Sequence, residues 1–408
     1  MKAYILAAGE GTRMRPLTAN IPKPLLPVAG KPFLIHTLES LRENGVTDVT
    51  ILVGWRGRRV RDYLGDGSNF GLKIDYENQE RRLGTAHAIG LARGHVDGPF
   101  LSINGDVVLT PNSVKGFLSS WEENKGTTMA LAKVRDPRGL GVVEVDNGTV
   151  KSIEEKPKRP KSDLINAGMY IFDTGIFELI DKTPKSKRGE YEITDTLQML
   201  MENGDVRGHI LSEEWIDVGR PWDLLKANEI LLRNIQGENS GEVQNNVVME
   251  SNVQVGEGTK IKNGAYIIGP VIIGKDCEIG PNCLIRPSTF IGDGCKVGSA
   301  SEVKNSIIMN DSNIPHHNYV GDSVIGERCN LGSGTKIANL RLDEKNIKVA
   351  FRGQEVDTGL RKLGAILGDD VKTGINASID VGTIIGENTF IGPGAVVKGV
   401  VAPNSKIL

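Results

Sequence analysis

The sequence predicts a Rossmann-like α/β domain followed by a left-handed parallel β-helix, on three observations. Up to about Ile235, strand-like and helix-like segments alternate, whereas beyond it aliphatic residues recur every six positions. The third is a break in composition, since all 4 Trp and 15 of the 20 aromatic residues precede residue 240. Regions so different in side chains pack by different rules. The expected division is therefore a domain over residues 1–235, a linker over 236–242 and a second domain over 243–408.

In the first region Ala3–Ala8 is an apolar run that ends in glycines, as a buried strand does. Phe33–Glu43 carries helical spacing, and Asp48–Val53, Pro99–Ile103 and Thr128–Val134 read as further strands. Alternation of this kind predicts a mostly parallel sheet, with ligands bound beyond the carboxyl ends of its strands. Gln236–Gly241 is polar with two glycines and reads as the linker.

The second region repeats in hexads. Val255-Gly256, Ile273-Gly274, Ile279-Gly280, Ile291-Gly292 and Val297-Gly298 form one series, and Leu367-Gly368, Ile379, Ile385-Gly386, Ile391-Gly392 and Val397 form another. Two places before most of these aliphatics stands a small residue such as Thr259, Cys277, Cys295 or Thr383. Hexapeptide periodicity predicts a parallel β-helix, and three hexads per coil stack residues 18 apart at the ~4.8 Å strand spacing. Cys277, Cys283 and Cys295 fall in the small-residue column, so they are expected to be buried thiols, with Cys329 in a stretch where the register slips. Their spacing lacks C-x-x-C, which argues against a metal site. Between Ile337 and Leu363 the hexads stop for a charged excursion, expected to be a loop on one face.

Composition excludes other classes. With 408 residues, 39% hydrophobic and 25% charged, the chain is neither disordered nor disulfide-dense. Lys plus Arg (49) against Asp plus Glu (51) gives a net charge of −2, which points to neither nucleic acid nor a membrane surface. No apolar run reaches the ~18 residues of a membrane span. The first apolar run is too short for a signal peptide and meets Glu10, so a cytoplasmic location is expected.

The chemistry begins right after the first strand. Gly9-Glu-Gly11-Thr-Arg13 can offer backbone N–H groups to a phosphate beside a fixed cation, yet it matches neither G-x-x-x-x-G-K-[ST] nor G-x-G-x-x-G. Lys23 follows between Pro22 and Pro24, a second cation on a stiff backbone.

This pair of motifs resembles the sugar-1-phosphate nucleotidylyltransferase family, with its G-x-G-T-R stretch followed by K-P-x-x-P-x-x-G-K-P. The resemblance implies that Arg13 and Lys23 act on the phosphates, and that Gln79, Gly84 and Thr85 read the base. It makes Gly141, Glu154 (in Glu154-Glu155-Lys156-Pro157) and Asn166 sugar contacts. Asp106, in Asn104-Gly105-Asp106, and Asp217, in Trp215-Ile216-Asp217-Val218-Gly219, become the metal carboxylates. In such chemistry a sugar 1-phosphate oxygen attacks the α-phosphorus of a nucleoside triphosphate and expels pyrophosphate. Positioning and charge neutralisation dominate it, and two carboxylates suit one Mg²⁺ bridging the phosphates.

In the second region His316, Tyr319, Asn339 and Lys345, with Arg286 and Lys304 upstream, resemble the acetyltransferase half of the bifunctional GlmU type, which combines glucosamine-1-phosphate N-acetyltransferase with N-acetylglucosamine-1-phosphate uridylyltransferase. The likeness extends over nearly the whole chain, and the long excursion resembles the archaeal version. It implies that His316 is the general base taking a proton from the glucosamine amine, which then attacks acetyl-CoA. Arg286, Lys304 and Lys345 would hold the sugar phosphate, while Tyr319 and Asn339 orient the sugar. It also implies a homotrimer built through the β-helix.

The wording of the first motif resembles thymidylyltransferases as closely as uridylyltransferases, so UTP and dTTP both stand as substrates. Two other readings follow from the same architecture. One is a glucose-1-phosphate thymidylyl- or uridylyltransferase with a purely structural β-helix, against which the four acetyl-transfer residues argue. The other is a non-catalytic regulatory subunit, against which Arg13, Lys23, Asp106 and Asp217 argue.

Overall fold

The computed structural model describes every residue except Asp205 and Arg352. These fall into two compact units: Met1–Glu10, Pro22–Leu25 and Phe33–Asp217 form the first, and Gly11–Ile21, Leu26–Pro32 and Val218–Leu408 form the second.

The first unit is built on strands β1 (Lys2–Ala7), β2 (Asp48–Val53), β3 (Lys73–Asn78), β4 (Phe100–Asn104), β5 (Val107–Val108), β6 (Thr128–Lys133), β7 (Gly141–Asp146), β8 (Thr149–Glu155), β9 (Leu164–Phe172), β10 (Arg207–Ile210) and β11 (Ile216–Asp217). Nine of them join in the order β3-β2-β1-β4-β9-β6-β10-β8-β7, while β5 pairs with β11. Pairs β3–β2, β2–β1 and β1–β4 are parallel, but β4–β9, β9–β6, β10–β8 and β8–β7 are antiparallel. The sheet is thus mixed and not mostly parallel as expected. One reason lies at Asn147-Gly148, where both residues have positive φ (47° and 76°). They close β7 and β8 as a two-residue hairpin, which needs no crossover helix.

Alternation along β1 sends Ile5 to one core and Tyr4 to the other. The first core holds Leu38, Ile51, Phe117 and Met169, and the second holds Leu52, Phe100, Tyr170 and Phe172. Helix α1 (Phe33–Glu43) buries Leu34, Leu38 and Leu41, one turn apart on a single face. Helix α2 (Pro111–Asn124) starts with Pro at its first position and with the Thr110 hydroxyl accepting from Ser113 N at 3.3 Å. It buries Val114, Phe117 and Trp121.

The second unit is a left-handed parallel β-helix, whose described strands form three ladders of nine, nine and eight. One interior column runs through Val255, Ile273, Ile291, Ile308, Ile325, Leu367 and Ile385. Its spacing is 18 residues at first, shortens to 17 from Ile291 to Ile308 and from Ile308 to Ile325, and returns to 18 after the excursion. Shortened coils therefore account for the slipped register. Cys329 rejoins the column of Cys277 and Cys295 through Ser312, since Lys296 N donates to Ser312 O and Asn313 N to Cys329 O. All four thiols are free and buried, and burial pushes Cys277 up to about 11 and the other three to about 12.

Glu238–Asn239 pairs with Val253–Val255, and Glu242–Val243 with Lys260–Ile261, so residues expected in or beside the linker already form the first coil. The excursion is closed by a bridge between Leu340 and Lys362 and contains a hairpin of Lys348–Phe351 with Gln354–Asp357. Ile347 and Val349 are buried, and a methyl group on Gly382 would lie 2.7 Å from Ile347 Cγ2. The loop therefore packs back on its own coils. Among the described residues no helix is long and apolar enough to cross a membrane.

Candidate active sites

In the first unit the carboxyl end of β4 runs into Asn104-Gly105-Asp106. Gly105 N donates to Leu6 O at 3.0 Å, and a methyl group on Gly105 would sit 2.5 Å from that same carbonyl. Only glycine allows this approach, and the turn delivers Asp106 beside the end of β1. Lys23 Nζ donates to Asp106 Oδ2 at 2.9 Å. Its backbone is stiffened by the flanking prolines and by Leu25 N donating to Pro22 O at 2.9 Å. Asp217 pairs with Val107, the residue after Asp106, and Trp215 Nε1 fastens this segment to Ala167 O at 3.0 Å. The bridge brings two carboxylate residues to neighbouring strand ends, an all-oxygen donor pair suited to a hard cation. No cluster of three or more His, Cys, Asp or Glu able to hold a metal ion by itself occurs among the described residues.

Strand parity separates two adjacent glutamates. Glu155 shares its face of β8 with Ile153 of the second core, while Glu154 pairs with Val142 and lies on the opposite face. A methyl group on Gly141 would meet Glu155 Oε2 at 3.2 Å and Asn166 Cβ at 3.6 Å, so these three residues converge. Asn166 Nδ2 donates to Tyr170 Oη at 2.6 Å. Burial raises the Tyr170 pKa, and the negative charges of Glu155 and Asp106 raise it further against the Asn166 hydrogen bond. Both carboxylates therefore act on one phenol. Glu154, the expected sugar contact, lies on the other face of β8, and both glutamates are solvent-exposed. The signal that would have found Glu155 is the period of two along β8.

Gly84 has φ +117°, and a methyl group there would lie 2.3 Å from Tyr191 O. Thr85 Oγ1 accepts from Ile193 N at 2.9 Å. These two positions lock the Tyr191–Ile193 segment in place. Gln79 Nε2 donates to His87 Nδ1 at 3.3 Å, and burial holds the imidazole below its ordinary pKa.

Arg13 lies in a 3-10 turn (Thr12–Met14) of the second unit and is exposed. Gly11 O accepts from Met14 N at 2.7 Å and from Thr18 Oγ1 at 2.8 Å, which shapes the loop. Gly11 has φ +66°, and Gly9 lies in open space.

On the β-helix, Arg286 and Lys304 occupy successive coils of one ladder, Arg286 N donating to Val303 O. Each cation meets a carboxylate: Arg286 Nη1 donates to Glu302 Oε1 at 2.9 Å and Lys304 Nζ to Asp322 Oδ2 at 3.0 Å. Glu302 is in register with Tyr319, and Tyr319 Oη accepts from Asn339 Nδ2 at 3.2 Å. Lys304, Tyr319 and Asn339 thus gather around Asp322, a residue the sequence reading passed over. His316 and His317 are exposed on the turn that enters the Tyr319 strand. His316 is anchored by its carbonyl, which accepts from Gly334 N at 3.0 Å, and His317 takes a left-handed φ of 53°. Lys345 stands exposed in the excursion, its backbone N donating to Asp343 Oδ1 at 3.3 Å.

Residues 2–234 match the nucleotidyl transferase family, residues 267–376 the GMPPB C-terminal domain, and residues 382–401 the hexapeptide repeat of succinyl-transferase. The bifunctional protein GlmU of Methanocaldococcus jannaschii is 43% identical over 406 residues, covering 99% of this chain and 97% of that protein. The bifunctional sugar-1-phosphate nucleotidylyltransferase/acetyltransferase of Sulfurisphaera tokodaii is 40% identical over 401 residues, covering 98% and 97%. A UDP-glucose pyrophosphorylase solved with UDP-glucose superposes with a TM-score of 0.53 at 25% identity, covering 57% of this chain and 99% of its own. The chain belongs to the nucleotidyl transferase family and, along nearly its whole length, to the bifunctional GlmU proteins.

Proposed function

We propose that this chain acetylates glucosamine 1-phosphate with acetyl-CoA and then transfers UMP from UTP to the resulting N-acetylglucosamine 1-phosphate, releasing pyrophosphate and UDP-N-acetylglucosamine. The observation that carries this reading is the match to a bifunctional relative over 99% of the chain, with both motif sets present on it.

At the nucleotidyl-transfer site the Gly9 and Gly11 backbone, Arg13 and Lys23 offset phosphate charge, and Gln79 with Gly84 and Thr85 receives the base. Either UTP or dTTP fits that description. Gly141, Asn166 and, in place of Glu154, Glu155 contact the sugar. Asp106 and Asp217 would hold Mg²⁺, which when bound supplies charge neutralisation between the two phosphates. The hydrogen bond from Lys23 to Asp106 supports this reading, since it fixes the ammonium beside the proposed metal carboxylate.

At the acetyl-transfer site His316 takes a proton from the sugar amine. The amine nitrogen then forms a bond to the acetyl carbon, the thioester C–S bond breaks, and coenzyme A leaves as the thiol, its sulfur taking up a proton equivalent to the one His316 removed. Arg286, Lys304 and Lys345 face the sugar phosphate, and Tyr319 and Asn339 orient the ring. The protein works as a homotrimer through its β-helix. Incubation with glucosamine 1-phosphate, acetyl-CoA and UTP, following free thiol and pyrophosphate separately, tests the reading. Thiol release without pyrophosphate, or the reverse, would leave one half of it standing.

A further inference from the structure

We infer that Asp322 is a positioning residue of the acetyl-transfer site, which sets the direction in which Asn339 presents its amide and holds the ammonium of Lys304. This inference rests on the acetyltransferase reading above.

Asp322 is only 4% exposed, with a left-handed φ of 50° at a corner of one of the shortened coils. Its backbone ties three levels of the β-helix together: Asp322 N donates to Lys304 O at 2.9 Å, and Gly364 N, just after the excursion returns, donates to Asp322 O at 2.8 Å. Its carboxylate receives three side-chain donors. Lys304 Nζ reaches Oδ2 at 3.0 Å, Asn305 Nδ2 reaches Oδ1 at 2.7 Å, and Asn339 Nδ2 also donates to Oδ2.

An ionised carboxylate only accepts hydrogen bonds, so the amide of Asn339 must turn its nitrogen toward Asp322. That nitrogen has two hydrogens. One goes to Asp322 and the other to Tyr319 Oη at 3.2 Å. Two consequences follow from counting donors and acceptors. Asn339 presents Oδ1, an acceptor, away from Asp322. The Tyr319 oxygen, already accepting, keeps its O–H to donate elsewhere. An amino sugar carries N–H and O–H groups that need an acceptor and oxygens that need a donor, so this pair matches it. Asparagine at 322 would offer an amide against three donors and leave the orientation of Asn339 undetermined. A buried charge that lost Lys304 or Asn339 would also be costly, so the four side chains act as one unit.

The test uses the full-length protein and four variants: Asp322→Asn, Asn339→Asp, Asn339→Ala and the double variant Asp322→Asn/Asn339→Ala. The second keeps an acceptor at position 339 but removes the donor to Asp322. Asp322→Asn and Asn339→Asp should each raise the KM for glucosamine 1-phosphate, so that kcat/KM for that substrate falls at least ~10-fold. The KM for acetyl-CoA and the rate of nucleotidyl transfer from supplied N-acetylglucosamine 1-phosphate should stay within about twofold of the parent. In the double variant Asp322→Asn/Asn339→Ala, the loss should fall short of the product of the two single losses, since the part of the Asp322 effect that runs through Asn339 is already gone and only the part through Lys304 remains. A full acetylation rate in Asn339→Asp, or additive losses in the double variant, would overturn the inference. So would equal losses for both acetyl-transfer substrates, which mark a merely structural residue. Absence of thiol release in the parent protein would instead sink the acetyltransferase reading itself.

Discussion

Lys23 donates to Asp106 across 2.9 Å although 83 residues separate them in the chain. The link joins the proline-bound segment to the turn that ends β4, and it holds a cation against a carboxylate. Asp106→Ala should abolish pyrophosphate release and leave acetyl transfer within about twofold, because Asp106 follows a strand of the first unit's core whereas the proposed acetyl-transfer residues stand on the β-helix, which has a core of its own. Equal loss of both activities in a folded protein would defeat the two-site reading.

Arg13→Ala and Lys23→Ala should each lower nucleotidyl transfer by at least ~100-fold, since a fixed charge at a developing phosphoryl transition state is worth a few kcal/mol. Steady-state kcat/KM for pyrophosphate release measures this. A severalfold change would make Arg13 a surface charge, or Lys23 only a structural partner of Asp106.

Glu155→Gln should cost at least ~10-fold in kcat/KM for the sugar 1-phosphate, because a charged hydrogen-bond acceptor is removed from the Gly141–Asn166 side. Glu154→Gln, on the other face of the strand, should stay within about threefold. The reverse order of effects would return the sugar contact to Glu154.

These glutamates mark where sequence reading stops. The hexads, the strand of Ala3–Ala8 and helix Phe33–Glu43 were legible because hydrophobic period is a local property, and the helix bounds agree with the structure. Adjacent Glu154 and Glu155 carry the same chemistry, and only the pairing of β8 with β7 says which faces Asn166. The antiparallel pairs do not show in strand–helix alternation; the one local mark of them is Asn147-Gly148, a hairpin turn between β7 and β8. Asp322 escaped for another reason. Its partners lie 17 or 18 residues away on neighbouring coils, and the shortened coils disguise that spacing.

Gln79 can donate to His87 Nδ1 only while the imidazole is neutral. Burial lowers the His87 pKa, so the folded protein resists protonation and the pair survives to below the ordinary imidazole value of ~6.5. The unfolded chain takes up the proton first, so the stability tied to His87 is present above ~6.5 and is lost as pH falls through the lowered folded pKa. The KM for the nucleotide should therefore rise as pH falls through the lowered His87 pKa, below the ordinary imidazole value, and His87→Asn should flatten that rise. A parallel rise in the variant would assign it to another group.

The four cysteines sit in the β-helix interior with thiols pushed well above neutrality. Native protein at pH 8 should release almost no colour with a disulfide reagent over minutes, and 4 thiols per chain should appear in denaturant. Rapid reaction in the native state would mean that the coils open. The expected silence also keeps the coenzyme A assay free of background.

His316 and Lys345 differ in how they are held. His316 is on a coil corner fixed by Gly334, whereas Lys345 projects from the excursion, whose hairpin is anchored by Ile347 and Val349. Coil corners stay with their own chain, but an exposed loop residue can reach a neighbour when β-helices pack side by side. His316→Ala should eliminate acetyl transfer while nucleotidyl transfer from supplied N-acetylglucosamine 1-phosphate persists. Mixing His316→Ala with Lys345→Ala protein, after dissociation and reassembly, should restore part of the acetyl-transfer rate if the two residues meet across an interface in a trimer. Native mass measurement must first confirm mixed trimers. Mixed trimers without restored activity would put both residues of a site in one chain, and full acetyl transfer by His316→Ala alone would take the general base away from that histidine.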